Sequence, residues 1–181
     1  LYDDFVERFA SVAAATKVGD TADPTVEMGP LINEAAVERV LSMVEQGVAD
    51  GARLVTGGGV PDDLDRGHFV APTVLADVDN STAVAQEEIF GPVTCIMKVR
   101  SDDEAVAIAN DSPYGLVGTV HSPDLDRARQ VARRIDAGVV TLNGAPPFGP
   151  FGGWKQSGIG REGGVHGIRT YTELRTVTQF G

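Results

Sequence analysis

Cysteine is nearly absent: Cys95 is the one thiol in 181 residues. A single cysteine can form neither an internal disulfide nor a thiolate cluster for zinc, which fits a reducing compartment, and cytoplasm is the expected location. Positive charge is also scarce. With 15 Lys and Arg against 26 Asp and Glu, the net charge of -11 repels nucleic-acid phosphate and anionic lipid, and no local basic patch offsets it. Neither a nucleic acid nor a membrane is therefore an expected partner. No apolar run approaches the ~18 residues of a membrane-spanning helix, and the opening LYDDFVERFA is acidic and amphipathic where a signal peptide would be basic and then apolar. His68, His121 and His166 lie far apart without ligand spacing, so no metal site is expected. Leu1 stands where a translated chain would begin with Met, which raises the expectation of further residues upstream.

What is present describes one globular domain with a substantial core. Leu1, Phe5, Phe9 and Val12 recur at helical spacing. Asn33 reads as the N-cap of a second helix carrying Val37, Val40, Leu41, Val44 and Val48 and ending near Gly51. A short strand follows at 52–56, then a Gly, Pro and Asp-rich connection over 57–68, then a strand pair at Phe69–Val70 and Thr73–Val78. PVTCIMKV at 92–99 is a continuous apolar run. Ser101 and Glu104 form a capping box for a helix that stops before Pro113. GLVGTV at 115–120 reads as a strand, Ser122 and Pro123 open another helix, and GVVTLN at 138–143 is a further strand. Unbroken apolar runs joined by helices describe an α/β fold with a parallel β-α-β sheet over residues 92–143, each strand buried on both faces.

Ligands of open parallel sheets bind beyond the carboxyl ends of the strands. NGAPPFGPFGG, which leaves the last strand at Asn143, is therefore either a pocket wall carrying Phe148 and Phe151 or a plain loop with its aromatics in the core. GIGREG at 158–163 matches G-x-G-x-x-G, but no strand leads into it and too little chain follows for a β-α-β unit, so it is not read as a dinucleotide site. Cys95, flanked by Val93, Thr94, Ile96 and Met97, reads as a buried strand cysteine and not as a nucleophile. Glu87 and Glu88 are adjacent carboxylates, a pattern usually left to solvent. LRTVTQF at 174–180 has the β-branched content of a strand, which either completes its own domain or adds to a partner's sheet.

Four segments in this order, MGPLI at 28–32, QEEIFGPV at 86–93, NDSPYGL at 110–116 and PFGGWKQSGIGRE at 150–162, resemble the C-terminal part of the aldehyde dehydrogenase superfamily. The resemblance runs along nearly all of the chain. It implies residues 1–172 as a piece of the α/β catalytic domain and 173–181 as an oligomerisation strand, with a homodimer or homotetramer as the assembly. It also implies NAD or NADP as cofactor and a small aldehyde as substrate, oxidised to a carboxylic acid through a thiohemiacetal and a thioester on a cysteine. The nucleophilic cysteine and the Rossmann half of the family correspond to segments upstream of Leu1, so no catalytic residue is expected in this chain and the chain alone is expected to be inactive.

Residue by residue, Glu88 matches the glutamate that accepts hydrogen bonds from the nicotinamide ribose, an acceptor-only group suited to a diol. Phe90 matches the aromatic beside the nicotinamide. Phe151 matches the phenylalanine lining the substrate tunnel, with Phe148 in the same wall. Trp154 stands where many relatives have Tyr. The resemblance makes GIGREG part of a structural loop and helix start. The intact P-F-G-G-x-K-x-S-G-x-G-R-E segment favours the hydrolytic type over a CoA-acylating semialdehyde dehydrogenase; a non-catalytic structural module is the alternative from another class.

Overall fold

A computed structural model of the chain describes residues 1–64, 66–144 and 149–181. It is α/β and forms two compact units, Leu1–Lys98 and Val99–Gly181. The first is organised by one strand, β2 (Thr73–Ala76), buried at all four positions. Beside it lie β1 (Arg53–Thr56), antiparallel with a bulge between Leu54 and Thr56, and β3 (Val93–Ile96), parallel with Cys95 opposite Leu75. Successive strand side chains point to opposite faces. Leu75 therefore packs with Val44, Ala52, Val78 and Val84, while Val74 and Ala76 join Val6 and Ile96 on the other face. Helix α1 (Tyr2–Ala15) covers the second face; α2 (Glu34–Ala49) and α3 (Ala83–Gln86) cover the first.

Helix α2 begins as its sequence indicates, with Asn33 Oδ1 accepting from the Ala36 N–H at 2.9 Å, and it ends before Gly51, whose φ of 106° suits glycine. Helix α1 buries a different stripe from the one its periodicity predicts. Val6 and Ala10 are buried with Tyr2, Phe9 and Ala13 packed beside them, whereas Leu1, Phe5 and Val12 face outward. Both stripes satisfy the same spacing, and the sheet selects between them. Phe69 and Val70 are buried but belong to no strand: the backbone around them bonds to loops, His68 O accepting from Leu31 and Gly59 O from Ala71.

In the second unit, α4 (Asp102–Asn110) is capped by Ser101, whose Oγ accepts from the Glu104 N–H at 3.1 Å. The Glu104 carboxylate reaches back one residue further than a capping box would, to the Arg100 N–H at 2.7 Å. The run 115–120 is two strands, β4 (Tyr114–Gly115) and β5 (Val117–Val120). β5 continues through α5 (Leu125–Ala132) to β6 (Val139–Leu142), which pairs with it in parallel, Val117 opposite Val139. This is the expected β-α-β step. The three parallel strands expected over 92–143 divide into two ladders, β3 with β2 and β5 with β6. β5 and β6 are partly exposed, not buried on both faces. The cap of α5 is Asp124 and not Ser122, its carboxylate accepting from Asp126 and Arg127 N–H at 3.0 Å each. β7 (Trp154–Lys155) pairs antiparallel with β4, and α6 (Gly164–Thr170) follows. Residues 173–181, the segment expected as an oligomerisation strand, carry no strand hydrogen bonds and leave Leu174, Val177 and Phe180 exposed.

Candidate functional site

Between α3 and β3 the chain makes a turn that presents Glu88 and Phe90 outward. Its floor is apolar. Ile89 packs onto the core cluster, and Gly91 lies so close to α2 that a Cβ there would come within 2.5 Å of Val40. From α2, Arg39 donates through Nη1 to the carbonyl of Glu88 at 3.1 Å and through Nη2 to the carbonyl of Ile89. On the far side the Val93 N–H bonds to Gly91 O and the Thr73 N–H to Pro92 O, each at 2.8 Å.

Phe90 has a φ of 48°, in the left-handed region, although it is bulky. Such a conformation costs about 1–3 kcal/mol and persists where the surroundings over-determine it. Phe90 is 74% exposed, and the Glu88 carboxylate makes no hydrogen bond or ion pair among the described residues. Glu88 thus offers an acceptor-only carboxylate and Phe90 an exposed ring, two residues apart on the same turn.

In the second unit, the loop holding Phe151 is built on glycines that permit close backbone contact. A Cβ on Gly138 would lie 1.7 Å from Gly152 O, and one on Gly152 2.5 Å from Gly160 O. Phe151 and Glu162 exchange backbone bonds of 2.9 and 2.7 Å, and Arg161 Nη1 donates to the carbonyls of Gly153 and Gly160. Phe151 lines a cleft of about 330 Å³ together with Leu116, Ile159, Arg161 and Tyr171. GIGREG is thus a loop entering α6.

Lys155, at a φ of 52°, donates to the carbonyls of Asn110 and Ser112 at 2.7 and 3.1 Å, where α4 ends. The Asn110 side chain in turn holds Arg134 O and the Asp136 N–H, and Gly115 N–H bonds to Ser157 Oγ. The segments 110–116 and 150–162 are therefore wired directly to each other.

Of the residues singled out from sequence, Glu88 and Phe90 share one turn of the first unit, and Phe151 belongs to the second. Phe148 lies outside the described residues. Asn143 is occupied: its amide spans the backbone of Ser122, accepting from N at 2.9 Å and donating to O at 3.0 Å. Cys95 is half-buried in β3 with its thiol 3.5 Å from Val84 O, and burial pushes the thiol up from its ordinary pKa. That environment disfavours a thiolate.

The sequence profile of the aldehyde dehydrogenase family matches residues 1–177. The chain belongs to this family. It is 43% identical to the mitochondrial aldehyde dehydrogenase of Homo sapiens over 181 residues, covering 98% of this chain and 35% of that protein. A Mycobacterium tuberculosis aldehyde dehydrogenase solved with NAD+ superposes with a TM-score of 0.92 at 45% identity, over 95% of this chain and 36% of that one. Aldehyde dehydrogenase C of Pseudomonas syringae, solved as a mutant with NAD+ and octanal, gives 0.90 at 45% identity with the same coverage. The chain thus spans about a third of the length of the aldehyde dehydrogenases it matches.

Two features of this aldehyde dehydrogenase chain escaped the sequence reading. Arg39 looks like a surface charge on a helix, and its grip on the 88–89 carbonyls is a contact 49 residues away. Lys155 likewise reaches back 45 residues. Backbone carbonyls carry no sequence signature, so neither partner can be read from residue type.

Proposed function

We propose that this chain forms part of an NAD(P)-dependent aldehyde dehydrogenase of the hydrolytic type, converting a small aldehyde to a carboxylic acid. The reacting cysteine, which carries the thiohemiacetal and thioester, belongs to a segment outside these 181 residues. The observation that carries the reading is the outward presentation of Glu88 and Phe90 on one turn, with the backbone strained at Phe90.

The nicotinamide cofactor, NAD or NADP, supplies the hydride acceptor when bound. Glu88 accepts hydrogen bonds from its ribose hydroxyls, and Phe90 packs beside its ring and limits its rotation. Phe151 contributes a wall of the aldehyde tunnel, as does Phe148, and together they exclude water from an apolar substrate. Support comes from the relatives solved with NAD+ and, in one case, octanal.

Residues 1–172 act in the catalytic domain, and 173–181 add as a strand to another copy of the chain, in a homodimer or homotetramer. The exposed Leu174, Val177 and Phe180 favour that role. Cytoplasm is the proposed compartment, on the ground of the single unpaired thiol.

The test joins these 181 residues to the N-terminal two thirds of the Mycobacterium tuberculosis relative and follows NADH formation over an aldehyde panel, with and without CoA. The joined polypeptide should turn over without CoA, and the 181 residues alone should not. Glu88→Gln should raise KM for NAD about tenfold, a loss of about 1.4 kcal/mol of binding. Turnover by the chain alone that Cys95→Ala abolishes would overturn the proposal, and so would a Glu88→Gln enzyme with unchanged kinetics. An absolute requirement for CoA would assign the acylating type instead.

A further inference from the structure

We propose that Arg39 is a positioning residue that holds the turn carrying Glu88 and Phe90 in its ligand-receiving shape. The inference rests on the reading of those two residues given above. A left-handed backbone at a bulky residue persists only where the surrounding structure holds it. On the C-terminal side Gly91 sits flush against Val40, with the Val93 N–H bonded to Gly91 O. On the N-terminal side the hold comes from Arg39, whose two terminal nitrogens take the consecutive carbonyls of Glu88 and Ile89. Arg39 and Val40 are neighbours on α2, so one helical turn grips both flanks of Phe90.

The chemistry of the group fits this task. Guanidinium is a planar fork of donors that stays charged at any working pH. Arg39 makes no ion pair among the described residues: Nη1 bonds to the carbonyl of Glu88 and lies 3.7 Å from Met43 Sδ, and Nη2 bonds to the carbonyl of Ile89. With both peptide planes ahead of Phe90 fixed, the Glu88 carboxylate and the Phe90 ring project at a set angle to each other. A lysine in this place would bring both carbonyls to a single rotatable ammonium, as Lys155 does at the end of α4, without the planar fork that fixes the direction of each bond.

Two measurements on Arg39→Ala and Arg39→Lys test the assignment, with Glu45→Ala on an exposed position of α2 as the control. In the 181-residue chain, backbone NMR should find residues 88–91 ordered in the native protein and in the control. In Arg39→Ala their order parameters should fall below about 0.6, with Arg39→Lys between. In the joined polypeptide, Arg39→Ala should raise KM for NAD and lower kcat, each about tenfold, while KM for the aldehyde stays within about twofold. Arg39→Lys should recover part of both. A general loss of folding would reduce the active fraction and leave both KM values alone, so the split separates positioning from mere stability.

The assignment is overturned if residues 88–91 stay ordered in Arg39→Ala, or if KM for NAD is unchanged in an enzyme that still responds to Glu88→Gln. The opposite pattern, a loosened turn with Glu88→Gln silent, would keep the clamp and discard the cofactor role of Glu88.

Discussion

Phe90 and Cys95 lie five residues apart and answer to opposite environments. Cys95 is held inside a strand, where burial raises its pKa and the neutral thiol is favoured. Phe90 is outside, in a backbone conformation glycine would adopt more readily. Replacing it tests whether the strain serves ligand binding. Phe90→Gly removes an exposed ring that contributes little packing and relieves the left-handed φ, so the 181-residue chain should gain about 0.5–1 kcal/mol of stability in urea denaturation. The joined enzyme should meanwhile show a raised KM for NAD, a trade of function for stability. A destabilised Phe90→Gly chain would mean that the ring is held by packing. The motif letters marked this residue through family resemblance, but its positive φ belongs to the folded backbone alone.

Helix ends show how far local patterns reach. Asn33 caps α2 as its spacing indicates, because the cap hydrogen bond closes within three residues. In the Ser122–Asp124 stretch two polar residues either side of Pro123 could cap α5, and the one nearer the helix does. Ser122 is engaged with Asn143 and with the Asp124 N–H.

Between helices, Arg127 forks onto Asp102 at 2.8 and 2.7 Å and joins α5 to the first turn of α4. The guanidinium holds the Asp102 carboxyl below its ordinary value. A folded pKa below the unfolded one means this contribution is present above the unfolded value of about 3.9 and is lost as pH falls through the lower, folded value. Thermal melts of the chain should therefore drop on acidification through that window, and Asp102→Asn should flatten this part of the pH profile. An unchanged profile in Asp102→Asn would assign the acid sensitivity to other carboxylates.

At the scale of the whole molecule, apolar side chains at the C-terminal segment remain uncovered. Leu174, Val177 and Phe180 are each more than four-fifths exposed. Three large apolar side chains exposed on one short segment are candidates for cover by another surface. In light scattering the 181-residue chain should form a dimer or larger species, and Val177→Asp with Phe180→Asp should shift it to monomer. A monomeric native chain at high concentration would remove the oligomerisation role of 173–181.

The family, the helices α2 and α4 and the β5-α5-β6 step were legible in the residues because each rests on short-range periodicity, caps or contiguous motifs. The tertiary structure alone chose which stripe of α1 faces the sheet, paired β3 with β2, and brought Arg39 to the carbonyls beside Phe90. These are contacts between distant positions, several of them to backbone atoms common to every residue. Local sequence constrains an element's own hydrogen bonds, but which surfaces of two elements meet is decided by their joint packing.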